Sequence, residues 1–254
     1  MGNTHFIKHA EQHNDPDAYS KEYIEFADLA VHDLDAPLRK LSVLIEMLIT
    51  QVPDDIETQS CIERIKNCVG DMRSLIDDLS AWAMIDQVTL QTSPCDLQDV
   101  IQQALKVMPS TLRDRQAIIT TLSLPTIEGD ANQFARLFGI LLENAIQYSK
   151  KNMTPSIAIH SSSLTSREKT ELDLIEDKEY YRIVLTDNGI GFKHENAGKI
   201  FQPLVRLHGK SQFPGTGIGL AICKKIVDAH HGLIFAEGKE NEGASFTLIL
   251  PESS

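Results

Sequence analysis

From Asp15 to Gln51 the apolar residues recur at Ala27, Ala30, Leu34, Leu38, Leu41, Ile45 and Leu48, in steps of three or four. That rhythm keeps one stripe on one side of an α-helix and is the seam of a packed helix bundle. Asp15-Pro16 opens the helix as an N-cap followed by proline at the first helical position. Val52-Pro53-Asp54-Asp55 makes a short turn with capping carboxylates. The rhythm then resumes at Ile62, Ile65, Val69, Met72, Ile76, Leu79 and Ala83. Each helix has roughly 30 residues, hence about 45 Å of length. One such hairpin cannot cover its own apolar faces, whereas two make a four-helix bundle. The sequence therefore predicts a homodimer.

The periodicity stops around residues 86–95, punctuated by Asp86, Ser93 and Pro94. This divides the chain into a polar tail (1–15), a dimerisation hairpin (16–86) and a second domain (87–254). In the second domain, Cys95 to Met108 reads as a helix opened by Asp96. Asp130 to Ser149 and Gly217 to His230 are also helical. Ala117–Leu124, Ser156–Ser161, Tyr181–Thr186, Leu233–Glu237 and Ala244–Leu250 read as strands, the last two separated by an Asn/Gly turn. A polar stretch, Ser162–Glu179, joins two of them and is longer than a usual hairpin loop. Strands and helices do not alternate regularly, so α+β fits better than a doubly wound sheet.

With 24 basic and 36 acidic residues the net charge is −12. This argues against a nucleic-acid or anionic-membrane partner, whose footprint is basic. An ATP site needs only local positive potential. Cys61, Cys68, Cys95 and Cys223 form no CxxC and read as reduced thiols in a cytoplasmic protein. No run of about 18 apolar residues is present to span a membrane, and Met1 to Asp17 has no apolar signal core. His5, His9 and His13 could share a helix face, but no acidic or cysteine partner completes a metal site, and they read as a disordered tail.

Three clusters carry chemistry. His32 stands two positions before seam residue Leu34, about 200° round the helix, so it points away from the seam. Asp33 can hold one ring nitrogen and leave the other as a nucleophile. Pro37 kinks the helix at a cost of about 3 kcal/mol, from which a purely structural bundle gains nothing. The second cluster is glycine: Asp187-Asn188-Gly189-Ile190-Gly191 after a strand, and Gly215-Thr216-Gly217-Ile218-Gly219 before a helix. Glycines let the backbone approach phosphates, and a helix N-terminus supplies donors. A P-loop is excluded, because Leu204 stands where its first glycine is required. The third is the apolar helix around Glu143, with Asn144 and Gln147 on its side face.

Together these motifs resemble the catalytic core of a two-component sensor histidine kinase with HisKA-type dimerisation helices. The phosphoacceptor motif is Val31–Leu38, the asparagine motif Glu143–Ser149, the first glycine motif Asp187–Gly191, the phenylalanine motif Ile200–Arg206 and the second glycine motif Gly215–Leu220. They stand in family order over residues 20–251. The resemblance implies a helical-hairpin dimerisation bundle followed by an α+β two-layer sandwich of the Bergerat type. It implies that Asp187 accepts the adenine amino group, that Asn144 ligates Mg²⁺ bridging the phosphates of ATP, and that Tyr148 lines the pocket. Gly189 and Gly191 belong to the same nucleotide site. Gly215, Thr216, Gly217, Ile218, Gly219 and Leu220 would cradle the phosphates, with Arg206 near the γ-phosphate. His32 would attack that phosphate, with Asp33 as base or orienter, and the group would pass to an aspartate on a response-regulator receiver domain.

Three positions depart from the pattern. Ile140 stands where the family often has a second asparagine, and Gln147 where it often has a basic residue. Losing one charge-assisted hydrogen bond costs about 1.5–3 kcal/mol, which predicts slow turnover. Ala36 stands where a Thr or Asn orients the water of the family's phosphatase reaction, which predicts weak phosphatase activity. Two other readings share the fold: a pseudokinase or phosphotransfer adaptor, and another ATPase. The outward His32 on a dimer bundle speaks against the latter.

Overall fold

The structure is a computed structural model that describes residues 38–49, 55–85, 89–207, 209, 213 and 215–253. His32, Asp33, Ala36, Pro37 and the N-terminal histidines lie outside the described residues.

Helix α1 (38–49) and helix α2 (Ile56–Met84) carry the hairpin's seam. Asp55 caps α2 as its position before the apolar rhythm requires: its carboxylate accepts the Thr58 N–H at 2.9 Å and the Thr58 hydroxyl at 2.8 Å. Leu38, Ile45, Ile62 and Ile76 are buried, while Leu41, Leu48, Ile65 and Met72 on the same seams stay exposed.

The rest of the chain is a two-layer α/β sandwich. It runs through β1 (Ser93–Asp96), α3 (Leu97–Val107), α4 (Ser110–Arg113), β2 (Ile118–Leu122), β3 (Thr126–Gly129) and α5 (Ala131–Gln147). Then follow β4 (Ser156–Ser163), α6 (Ser166–Glu171), β5 (Tyr180–Asp187), α7 (Gly219–Ala229), β6 (Leu233–Lys239) and β7 (Gly243–Pro251), with two 3₁₀ turns at His194–Asn196 and Lys199–Phe201. The main sheet has the order β2-β4-β5-β7-β6; β2 pairs with β4 in parallel, and the other pairs are antiparallel. Alternate residues point one way, so Ile157 and Ile159, Ile183 and Leu185, and Phe246, Leu248 and Leu250 form one apolar face. Helices α3, α5 and α7 cover it, with Phe134, Leu137, Phe138, Leu141 and Leu142 of α5 fully buried at the centre. Asp96 and Asp130 cap α3 and α5 through their carboxylates.

Three features differ from the sequence reading. β1 and β3 pair antiparallel where the sequence showed only punctuation: they are four residues each, too short for an alternation to register. The stretch Ser162–Glu179 holds α6, closed by a Thr165–Glu168 capping box. It covers the far face of the sheet, where Leu164, Tyr180 and Ile249 form a second small core with Leu172, Leu174, Leu233 and Phe235. His230, read as the last residue of a helix, is 1 % exposed. Its Nε2 accepts the Asp130 N–H at 3.0 Å and its Nδ1 donates to the Ile226 carbonyl at 2.8 Å, which ties the end of α7 to the start of α5.

Candidate nucleotide site

A cavity of about 330 Å³ opens between α5, the end of β5 and the start of α7. The size and mixed lining suit a small-molecule ligand. Helix α5 contributes Ile140, Glu143, Asn144 and Gln147 at helical spacing, and Tyr148 follows at its C-cap. The two polar side chains read as a side face therefore form one wall of the site.

Asp187 ends β5 and lines the cavity. Its Oδ1 accepts the Gly189 N–H at 2.8 Å and the Ala244 N–H at 3.2 Å. Burial raises its pKa, and the two amide donors oppose that rise. The carboxylate is thus oriented by backbone, with Oδ2 turned to no protein donor among the described residues. Gly189 makes this possible, because a Cβ there would lie 2.8 Å from Asp187 Oδ1 and 2.7 Å from the Tyr148 carbonyl. Gly191 lines the cavity, while Gly189 stands behind it.

The second glycine run forms the opposite wall. Gly215, Thr216, Gly217, Gly219 and Leu220 line the cavity, while Ile218 is fully buried beneath them and serves as the N-cap of α7. Gly217 has φ +79°, and a Cβ would meet Arg206 Cγ at 2.8 Å. Arg206 lies under the run, with its guanidinium donating to the Gly215 carbonyl at 2.7 Å and the Phe213 carbonyl at 2.5 Å. Arg206, expected near a γ-phosphate, also lines the cavity, and its two hydrogen bonds brace the loop. Tyr148 stacks at a tilt on Phe213, 4.9 Å between centroids, and burial raises the pKa of its phenol.

Several lining residues escaped the sequence reading. Ala244 supplies the second amide to Asp187, and its only signal was the Asn/Gly turn before β7. Ser74 and Asp78 enter from α2, which the periodicity assigned to the bundle alone. Asp78 raises the pKa of Glu143, after burial. Ile140 sits in the wall with its Cγ2 3.0 Å from where a Cβ on Gly219 would stand, so this departure from the family pattern packs α5 onto the start of α7.

The residues fit an adenine nucleotide. A desolvated carboxylate with a free oxygen suits an exocyclic amine, and a glycine run at the start of an 11-residue helix suits phosphates. Among the described residues no cluster of three or more His, Cys, Asp or Glu could hold a metal by itself. No helix there is long and apolar enough to cross a membrane.

Residues 129–254 match the family described as histidine kinase-, DNA gyrase B-, and HSP90-like ATPase. The chain is 30 % identical over 244 residues to cyanobacterial phytochrome A of Nostoc sp., covering 95 % of this chain and 30 % of the phytochrome. It is 25 % identical over 245 residues to the adaptive-response sensory kinase SasA of Synechocystis sp., covering 91 % of this chain and 60 % of that protein. It therefore spans less than a third of the first of these relatives and less than two thirds of the second. Its fold is also that of full-length ShkA, solved with AMPPNP, at a TM-score of 0.65 and 19 % identity over 91 % of this chain and 46 % of that one.

Proposed function

We propose a function on the premise that this chain belongs to the histidine kinase family: it is an ATP-dependent protein-histidine kinase of two-component signalling. The observation that carries the reading is the cavity itself. It unites Asn144, Asp187 and the Gly215–Leu220 run, three segments far apart in sequence, around one nucleotide-sized space.

Asp187 would bind the adenine amino group through Oδ2, with Gly189 and Ala244 holding the carboxylate in place. Thr216, Gly217 and the start of α7 would receive the phosphates. Mg²⁺ would be held by Asn144 and the phosphates, and would offset their charge. A ring nitrogen of His32 would attack the γ-phosphorus as the bond to the β-phosphate oxygen breaks and ADP leaves. Asp33 would orient the ring and take up its proton. Positioning and charge stabilisation do most of such work. The phosphoryl group would then pass from His32 to an aspartate of a response-regulator receiver domain, in the cytoplasm where ATP is held. The exposed stripe Leu41, Leu48, Ile65 and Met72 supports pairing of two hairpins in a homodimer.

A second reading, a phosphotransfer adaptor with the same fold, is favoured by Ile140 and Gln147, which put no charge into the phosphate wall. One experiment separates them: incorporation of phosphate from γ-labelled ATP with Mg²⁺, in wild type and in His32→Gln. Acid-labile, base-stable label in wild type and none in the variant is the expected result. Nucleotide binding without any label would favour the adaptor.

A further inference from the structure

Helix α2 reaches past the hairpin and lies against α7, with Ser74 and Asp78 in the wall of the cavity. The Asp78 Oδ2 accepts the Thr216 hydroxyl at 2.6 Å. Its Oδ1 stands 3.9 Å from the Arg136 guanidinium. The same Thr216 hydroxyl accepts the Ile218 N–H at 3.3 Å, so the contact sits just ahead of the start of α7. One turn further along α2, the Trp82 carbonyl accepts Lys225 Nζ at 2.7 Å, and that ammonium lies 4.2 Å from the centre of the Trp82 ring. Two contacts a turn apart therefore pin α2 to α7, one on the glycine run and one on the body of the helix.

A carboxylate in this place has a chemical consequence. It occupies the Thr216 hydroxyl, a donor that a phosphate would use, and it shares the cavity with Glu143. A phosphate brought to Thr216 would meet like charge, and such repulsion is strong where water is thinned out. We propose that Asp78 is a latch: without nucleotide it holds α2 on the glycine run, and the phosphates of a nucleoside triphosphate displace it. The proposal rests on the cavity being the nucleotide site. A ligand that binds only the unlatched form loses affinity in proportion to the latched fraction, and by reciprocity its binding releases the helix. Nucleotide occupancy is thereby converted into freedom of the helical hairpin relative to the sandwich.

The test is calorimetric titration of the full chain with AMPPNP and Mg²⁺, comparing wild type, Asp78→Asn and Asp77→Asn. Asp77 is the exposed neighbour, so its variant removes the same charge outside the cavity. Asp78→Asn is expected to bind about tenfold tighter than the other two, as for a latch closed in about nine molecules of ten. Equal affinity of the two variants overturns the latch and leaves the nucleotide site intact. Absence of binding in all three proteins overturns the site reading, and the latch with it. A second measurement needs no variant. Trp82 is the single tryptophan of the chain. Saturating AMPPNP should shift its emission to longer wavelength and raise hydrogen exchange along residues 74–84. Bound nucleotide with neither change also overturns the proposal.

Discussion

On α5, Phe134, Leu137, Phe138, Leu141 and Leu142 have no exposed surface, whereas on the hairpin Leu41, Leu44, Leu48, Ile65 and Met72 each keep between 43 and 60 % of theirs. Both regions are helical and both have regular apolar spacing. They differ in what faces them. Helix α5 is sandwiched between α3, α7 and a five-stranded sheet, which closes its environment within one chain. Only the last turns of α2 reach the sandwich, at α7; among the described residues Leu41 and Leu48 of α1 and Ile65 and Met72 of α2 stay open. The contrast is between a helix whose apolar face is closed within the sandwich and a hairpin whose exposed apolar residues are the basis for the proposed dimer.

The largest effect should come from breaking the closed region. Phe138→Ala removes a fully buried ring and leaves a cavity among α3, α5 and the sheet. A loss of about 3–5 kcal/mol is expected, read as a fall in denaturant midpoint with unchanged slope. A loss below about 1 kcal/mol would mean that the sandwich core can collapse around the gap, and the contrast with the hairpin would weaken.

The converse change belongs on the hairpin. Leu44→Asp with Leu48→Asp puts two charges on the exposed stripe, on one face of α1. Sedimentation should show the proposed dimer weakened by about a hundredfold or more, since isolated charges desolvated in an interface are costly. The unfolding midpoint of the sandwich should stay within about 0.5 kcal/mol of wild type. A doubly charged protein that still sediments as a dimer would place the interface elsewhere.

These two regions were also unequally legible. The hairpin's period, the α5 and α7 helices and the strands of the main sheet all follow from apolar spacing, because each buries one face only. The short β1–β3 pair did not, since four residues that include Pro94 or Gly129 hold too few alternations. α6 was hidden by its polarity; its role depends on Leu172 and Leu174 meeting residues of β6 and β7 far along the chain. In the site, the glycine runs and Asn144 announced themselves by residue type. Asp78 did not, because a carboxylate beside another on a bundle helix looks like a solvated face until α7 is placed against it. Arg206 was visible by its motif and lines the cavity; its two carbonyl partners in the adjoining loop were not, since they depend on how that loop folds back.

His230 gives the smallest effect and the sharpest one, because it separates the regions by pH. It is buried in the sandwich against Phe134, with ring centroids 4.3 Å apart. The Ile226 carbonyl can only accept and the Asp130 amide can only donate, so the ring is neutral with its proton on Nδ1. Burial lowers its pKa from the ordinary 6.5. The unfolded chain then binds the proton more readily than the folded one, so stability rises with pH through this window. The contribution is complete above about pH 6.5 and is lost as pH falls through the lower folded value. Protonation would also turn the acceptor facing Asp130 into a second donor, leaving two N–H groups opposed. Hydrogen exchange at pH 7.5 and pH 5.5 should therefore show the acid loosening concentrated at the start of α5 and the end of α7. Residues 56–70 of α2 should keep their protection once the intrinsic pH dependence of exchange is removed. His230→Phe should cost about 1–3 kcal/mol at neutral pH, because the Asp130 amide is left buried without its acceptor, and should flatten the acid dependence. An acid response of equal size in α2, or one that survives the substitution, would mean that the pH sensitivity of this chain is set by its surface carboxylates rather than by the joint between its two core helices.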